Sequence, residues 1–381
     1  MFANLTEEQR LLQESLERFR QLDYTFEKRR AHLAKLGAQD DPAWAMLAEM
    51  GWLAATLPEE HGGLGGSNAD LALLMEQFGR ALLVSAFVPS VVLGGTILRR
   101  AGTAAQRAAH LPAIAEGREK LALAYLESTG QHAPGVVTTR AARDGGDFVI
   151  DGAKTAVLYG NCADHLLVTA RTSGGDADAA GISLFLVPAG TPGLSADTYR
   201  THDDGWAANL ALTSVRVPAS ALVGAEGSAL PTIEVALDAG AAALCAEAVG
   251  AMWTLHDLTL DYLKVRKQFG ATLGSFQALQ HRMVDIYMKC QLAQSATMAA
   301  VAALDSGDAR MRGRAVSAAK ALVGRTARQV GEDAVQLHGG IAMTDEYAAG
   351  HYFKRLAMIR LTFGDEEFHL DRYRSLEESP R

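Results

Sequence analysis

The chain has 381 residues, 49% of them apolar, and a formal net charge of −8. That length supports two or three domains with a large core, and the acidic balance argues against a nucleic-acid partner, which needs a basic surface. No run approaches the roughly 20 apolar residues of a membrane span, and the first residues carry no basic cluster before an apolar stretch. Three scattered cysteines, Cys162, Cys245 and Cys290, have no metal-type spacing and suit a reducing compartment, so the expected location is cytoplasmic.

The first third reads as helical. Thr6-Glu7-Glu8-Gln9 is a capping box, with Leu5 placed to act as a hydrophobic staple, and Leu12, Leu16 and Phe19 follow at helical spacing. A second helix is expected over 43–50. The segment from Pro58 to Ser67 breaks the pattern with four glycines and forms an irregular loop. No strand leads into it and no Gly-Lys-Ser/Thr follows, so it is not a phosphate loop. Helical periodicity returns over 71–83 and 91–100.

Near Leu121 the pattern changes to short β-type runs. Phe148-Val149-Ile150, Leu166-Leu167-Val168, the run 183–187 and Val215-Arg216-Val217 are the clearest strands, and Asp144-Gly145-Gly146-Asp147 is a hairpin turn. Strands without intervening helices predict an antiparallel barrel or sandwich. Beyond Pro231 long helices are expected over 233–269, 276–305 and 311–337, with a shorter one at the end, forming an antiparallel bundle. The stretch Ala239-Gly240-Ala241-Ala242-Ala243 offers a close helix–helix approach. The expected class is α+β: an N-terminal helical domain (1–120), a central β domain (121–228) and a C-terminal four-helix bundle (229–381), without repeats or low-complexity segments.

Two segments carry chemistry. In Val265-Arg266-Lys267-Gln268-Phe269-Gly270, a planar guanidinium at a helix end can grip a pyrophosphate through paired charge-assisted bonds. Gln268 adds an amide, Phe269 an apolar contact, and Gly270 is expected to end the helix. In Gln336-Leu337-His338-Gly339-Gly340, adjacent glycines let a backbone approach a ligand unobstructed. Alone, Arg266 reads as a solvated helix end and one glycine as a helix stop; together the two segments favour a ligand.

In order and spacing these segments, with the Pro58 loop, resemble the acyl-CoA dehydrogenase family over essentially the whole chain. Within it, Leu244-Cys245-Ala246-Glu247-Ala248-Val249-Gly250, Gly274-Ser275-Phe276-Gln277-Ala278-Leu279-Gln280-His281 and Gly350-His351-Tyr352-Phe353-Lys354-Arg355 are most similar to small subunits of pimeloyl-CoA dehydrogenases. The resemblance implies FAD as cofactor, an acyl-CoA substrate and an electron-transfer flavoprotein as acceptor. It also implies an oligomer, in which Arg266, Gln268, Phe269, Gln336, Gly339 and Gly340 hold the ADP half of a neighbour's FAD.

The same comparison exposes losses. The family's flavin-ring segment, Lys-x-Trp-Ile-Thr-Asn, becomes Lys154-Thr155-Ala156-Val157-Leu158-Tyr159, and its Thr-Glu-Pro segment becomes Leu126-Glu127-Ser128-Thr129-Gly130-Gln131. The two positions for the catalytic glutamate hold Phe363 and Gly240. Removing a weakly acidic α-proton needs a positioned carboxylate, and neither residue has one. Asp365 reads as a helix-start charge. Glu247 shares a face with Gly240 but lies about 10 Å along the helix, and reads as a buried acid paired with a base. The expectation is a base-less partner of a homologous large subunit. A complete homo-oligomeric enzyme using Glu247 or Asp365, and a non-catalytic scaffold, are the alternatives.

Overall fold

The computed structural model describes residues 5–35, 37 and 41–378. The reading of the first residues as lacking a leader rests partly on Met1 to Asn4, which lie outside them. The helices are α1 (Glu7–Leu22), α2 (Phe26–Leu33), α3 (Pro42–Glu49), α4 (Asn68–Ala81), α5 (Gly95–Ala101), α6 (Ala104–Ala115), α7 (Leu230–Val265), α8 (Gln277–Leu304), α9 (Ala309–His338), α10 (Ala348–Leu361) and α11 (Glu366–Glu378). The strands are β1 (Leu121–Ala124), β2 (Arg140–Asp144), β3 (Asp147–Leu158), β4 (His165–Arg171), β5 (Ile182–Pro188), β6 (Leu194–Arg200), β7 (Trp206–Pro218), β8 (Lys267–Gln268) and β9 (Ala271–Thr272).

Local sequence explains many of these boundaries. Gln9 N–H donates to Thr6 Oγ1 at 3.1 Å and Thr6 N–H donates to Gln9 Oε1 at 3.2 Å, a closed capping box at the start of α1. Thr103 and Gln106 repeat the device at α6, a helix the sequence reading passed over. The expected helix over 91–100 begins earlier, as a π-helical stretch over Val88–Gly94 that leads directly into α5.

Packing divides the chain into two compact units: one from residues up to His32, Asn68–Leu83 and Ala241 onward, the other from Leu33–Ser67 and Val84–Gly240. The second unit holds the curled seven-stranded sheet, in the order β1-β4-β2-β3-β7-β6 with β5 on the other edge of β4. The expected central β domain is this curled sheet, and it is mixed rather than wholly antiparallel: β1 and β2 both run parallel to β4. Its core includes Phe148, Ile150, Leu166, Val168, Phe185, Val215 and Val217. The Asp144 to Asp147 turn closes the β2–β3 hairpin, with Gly145 at φ +64°.

In the helical unit, α9 packs against α8, α10 and α11. Two helices, α10 and α11, close the chain where one was expected. Helices α4 and α7 approach closely at two glycines, each facing the other helix's backbone. A Cβ on Gly79 of α4 would sit 1.9 Å from Glu247 O, and one on Gly250 of α7 would sit 1.8 Å from Glu76 O. The alanine-rich stretch 239–243 is buried, but backbone proximity needs the missing Cβ atoms. Helix α7 is, by length and composition, apolar enough to cross a bilayer, a possibility the unbroken-run criterion missed. Yet 89% of its most apolar window is buried inside the protein, the pattern of a helix apolar all round at the centre of a fold.

Candidate functional site

Helix α7 ends at Val265, not at Gly270. Arg266 N–H still donates to Tyr262 O at 2.9 Å, closing the last turn, and Arg266 O accepts from Leu273 N–H at 2.8 Å. Between them β8 and β9 form a hairpin in which Gln268 pairs with Ala271. Phe269 and Gly270 fill the turn at φ +53° and +82°, the two left-handed residues that a type I′ turn requires. The glycine thus makes a hairpin rather than a helix stop. Phe269 stands 90% exposed, its ring nearly perpendicular to that of Phe276 with centres 6.3 Å apart. Arg266 and Gln268 are exposed as well.

Helix α9 ends at His338, capped by Gly339 at φ +66°. Gln336, Gly339 and Gly340 are exposed, and a Cβ on either glycine would meet nothing within 4 Å. His338 joins the two segments. Its ring stacks obliquely on Tyr262, centre to centre 4.8 Å, one turn before Arg266. Its Nδ1 lies 2.8 Å from Ala334 O and its Nε2 3.0 Å from Tyr347 Oη. Burial lowers its pKa, so it holds the two helix ends together as a largely neutral ring. The fold therefore brings all six proposed nucleotide contacts to one end of the helical unit, with the side chains of Arg266, Gln268 and Gln336 exposed.

The base positions differ. Phe363, between α10 and α11, is 8% exposed and held at φ +60°, a conformation uncommon for a bulky residue. The surrounding backbone is pinned. Phe363 O lies 3.0 Å from His369 Nε2, and the buried Lys320 donates to Arg360 O and Gly364 O at 3.1 and 2.8 Å. Burial lowers the Lys320 pKa to about 8. Asp365 caps α11: its Oδ1 accepts from Phe368 N–H at 2.9 Å. Glu247 is 2% exposed and bound through both oxygens by Arg355, at 2.5 and 2.7 Å. Gly240 lies buried within α7, and Asp238, which the sequence reading did not weigh, is buried two residues before it.

In the sheet unit, Lys154 is fully buried, and its Nζ reaches Glu127 Oε1 at 2.5 Å and Thr169 Oγ1 at 2.8 Å. Glu127 also accepts from Thr138 N–H, Thr139 N–H and the Thr138 hydroxyl. Burial works to raise the Glu127 pKa, but Lys154 and these hydrogen bonds outweigh it and hold it at about 2, while burial lowers that of Lys154 to about 8. This closed network leaves neither charge for a ligand. Immediately after Lys154 the pairing with β7 slips, and Ala156 takes φ +50°. Ala156 is exposed and Leu158 half-buried. Neither side chain can stack on a flavin ring or donate a hydrogen bond to it, so these residues do not fit the ring end of the cofactor.

Comparison with known proteins decides the lineage. Profiles of the acyl-CoA dehydrogenase N-terminal, middle and C-terminal domains match residues 6–118, 122–214 and 230–374. The acyl-CoA dehydrogenase FadE12 of Mycobacterium tuberculosis is 30% identical over 89% of this chain and 87% of its own. The chain belongs to the acyl-CoA dehydrogenase family. It shares the fold of solved members. A steroid acyl-CoA dehydrogenase, Tcur3481-Tcur3483, is 31% identical over 97% of this chain and 98% of its own, with a TM-score of 0.85. The ChsE4-ChsE5 complex of Mycobacterium tuberculosis is 25% identical over the full length of both chains, with a TM-score of 0.89. Acyl-CoA dehydrogenases are FAD-containing oxidoreductases.

Sequence reading missed three side-chain groupings in this member of the acyl-CoA dehydrogenase family. Lys320 bonds the turn beyond Phe363 across 44 positions, Glu127 and Lys154 are 27 apart, and His110, Glu119 and His165 converge in the sheet unit. None has a local motif. The one available signal was the presence of a lysine inside two otherwise apolar patterns.

Proposed function

We propose that this acyl-CoA dehydrogenase is the base-less subunit of a hetero-oligomer that oxidises an acyl-CoA thioester to the 2,3-enoyl-CoA. A homologous larger subunit supplies the carboxylate base and the flavin-ring pocket. Arg266, Gln268, Phe269, Gln336, Gly339 and Gly340 of this chain complete the ADP half of the partner's FAD. FAD held there would supply a hydride acceptor for the β-carbon, and this chain's residues would hold its phosphates.

The observation that carries this reading is Phe363, an apolar residue in the family's base position. The two acids weighed as substitutes are engaged elsewhere: Glu247 is bound by Arg355 and Asp365 caps a helix. The contrast between an open nucleotide grip and a ring segment closed on itself supports it further. One relative is described as the ChsE4-ChsE5 complex, and another carries the paired name Tcur3481-Tcur3483.

The substrate class we infer is a bulky or dicarboxylyl acyl group, supported by the similarity to pimeloyl-CoA dehydrogenase small subunits and by the steroid-acting relative. An electron-transfer flavoprotein is the acceptor that family membership suggests.

Co-expression with candidate homologous large subunits, followed by flavin quantification, tests the assignment. The expected result is a colourless chain alone and a yellow complex with one grip per flavin. A chain that purifies alone with bound flavin and bleaches it on addition of acyl-CoA refutes the assignment.

A further inference from the structure

The geometry points to a divalent-metal site of the zinc type, formed by His110, Glu119 and His165 in the sheet unit, far in sequence from the nucleotide grip. Three features of the chain build it. Helix α6 carries His110 and ends at Ala115. Gly117, at φ +74°, then reverses the backbone, with Arg118 N–H donating to Ala113 O at 2.8 Å. The reversal returns Glu119 to His110. Strand β1 starts two residues later and pairs in parallel with β4, Leu121 opposite His165. Lys120 N–H donates to Asp164 Oδ2 at 2.7 Å and Asp164 N–H donates to Lys120 O at 2.9 Å, fixing the start of that ladder. Glu119 is thereby held between the two imidazoles by backbone structure on both sides.

The side chains converge as metal ligands do. His110 Nδ1 lies 2.8 Å from Glu119 Oε1, and His165 Nδ1 lies 2.8 Å from the same oxygen. One ligand atom from each residue falls within 4.8 Å of the others. The rings stand 5.0 Å apart at 74°, so neither blocks the other's approach. The His165 contact is not an aligned hydrogen bond: its Nδ1 is buried and has no hydrogen-bond partner. A buried ring nitrogen close to an oxygen but aimed off it is costly as a hydrogen-bonding group and suitable as a ligand to an ion beside both. The site's side chains are only 10 to 28% exposed.

Chemistry selects the ion class. As ligands, two neutral imidazoles and one carboxylate would carry a net charge of −1. Three N/O ligands and an open fourth position suit Zn²⁺, with bonds of about 2.0–2.1 Å. A tetrahedral edge is then about 3.3 Å, so binding asks the two 2.8 Å spacings to open by a few tenths of an ångström and the two imidazole nitrogens, within 4.8 Å of each other, to settle at the same edge. The bound ion would clasp α6 to the first strands of the sheet. It takes no part in redox chemistry, since zinc has none.

The test uses the full chain, stripped with a chelator and titrated with ZnSO₄ against a chromophoric competitor. The expected result is one equivalent bound per chain, with a rise in thermal midpoint that follows zinc concentration. The His110→Ala/His165→Ala double variant should lose affinity by more than the ~10–100-fold typical of disturbing an outer-shell partner, and its midpoint should not respond. Glu119→Gln, which keeps a hydrogen-bond acceptor, should weaken binding too. Absence of zinc uptake by the wild-type chain overturns the proposal whatever the variants do, and so does undiminished binding by the double variant or by Glu119→Gln.

Discussion

Arg355 holds both carboxylate oxygens of Glu247, Nε to Oε1 at 2.5 Å and Nη2 to Oε2 at 2.7 Å, joining α10 to α7. A carboxylate held in this way inside the helical core is anchored as a structural ion rather than poised to accept a proton. Glu247→Gln should therefore cost about 3 kcal/mol of stability, the lower end for breaking a buried pair because Arg355 is 24% exposed. Turnover of the assembled complex should be unchanged. Glu247→Leu/Arg355→Met should recover most of the loss, since an apolar pair replaces a buried ionic one. Urea midpoints and acyl-CoA-dependent dye reduction check both parts.

Acid sensitivity should trace to Glu127. Its folded pKa, about 2, lies below the ordinary carboxylate value of 4.5. A depressed carboxylate stabilises the fold above its unfolded pKa, and that contribution fades as pH falls from 4.5 through about 2. The amount at stake is about 3 kcal/mol. Lys154→Met removes the balancing charge, so burial acts on Glu127 without compensation. The acid-unfolding midpoint, followed by tryptophan fluorescence, should then move to higher pH.

Gly250→Ala should be among the most damaging single substitutions in the helical core. Its Cβ would lie 1.8 Å from Glu76 O, against backbone that cannot rotate away. Separating α7 from α4 costs more than the ~1–3 kcal/mol usual for overpacking. Soluble yield and thermal midpoint should both drop, whereas Gly145→Ala, at an open turn with nothing within 4 Å, should cost only its left-handed strain of about 1–2 kcal/mol.

Helix α8 carries an exposed apolar stripe: Val284, Met288 and Leu292, 50 to 56% exposed and each four residues apart, beside Tyr287. Such a contiguous patch marks an interface. Met288→Glu/Leu292→Glu should shift the purified assembly to smaller species, measured by light scattering, without altering the helical content of the chain.

Arg266→Gln should lower flavin retention by a co-purified complex, because a charge-assisted pyrophosphate contact is lost. The flavin-to-protein ratio after gel filtration reads it. Retention equal to wild type would remove Arg266 from the grip.

The sequence by itself determined the helical, β, helical order, the α1 capping box, the β2–β3 turn and the absence of an acid at Phe363 and Gly240. Each of these is written in adjacent residues or in a short period, because capping, turn formation and amphipathicity act over a few positions. Tertiary structure alone decided that Gly270 turns a hairpin instead of ending a helix, since the strand pairing of Gln268 with Ala271 competes with another helical turn. It alone decided that Glu247 answers Arg355 across 108 positions, that Glu127 consumes Lys154, and that His110, Glu119 and His165 meet. Partners at such separations are chosen by the packing of whole elements, where burial forces each charge to find a counterpart, and no local pattern in the chain records which counterpart it finds.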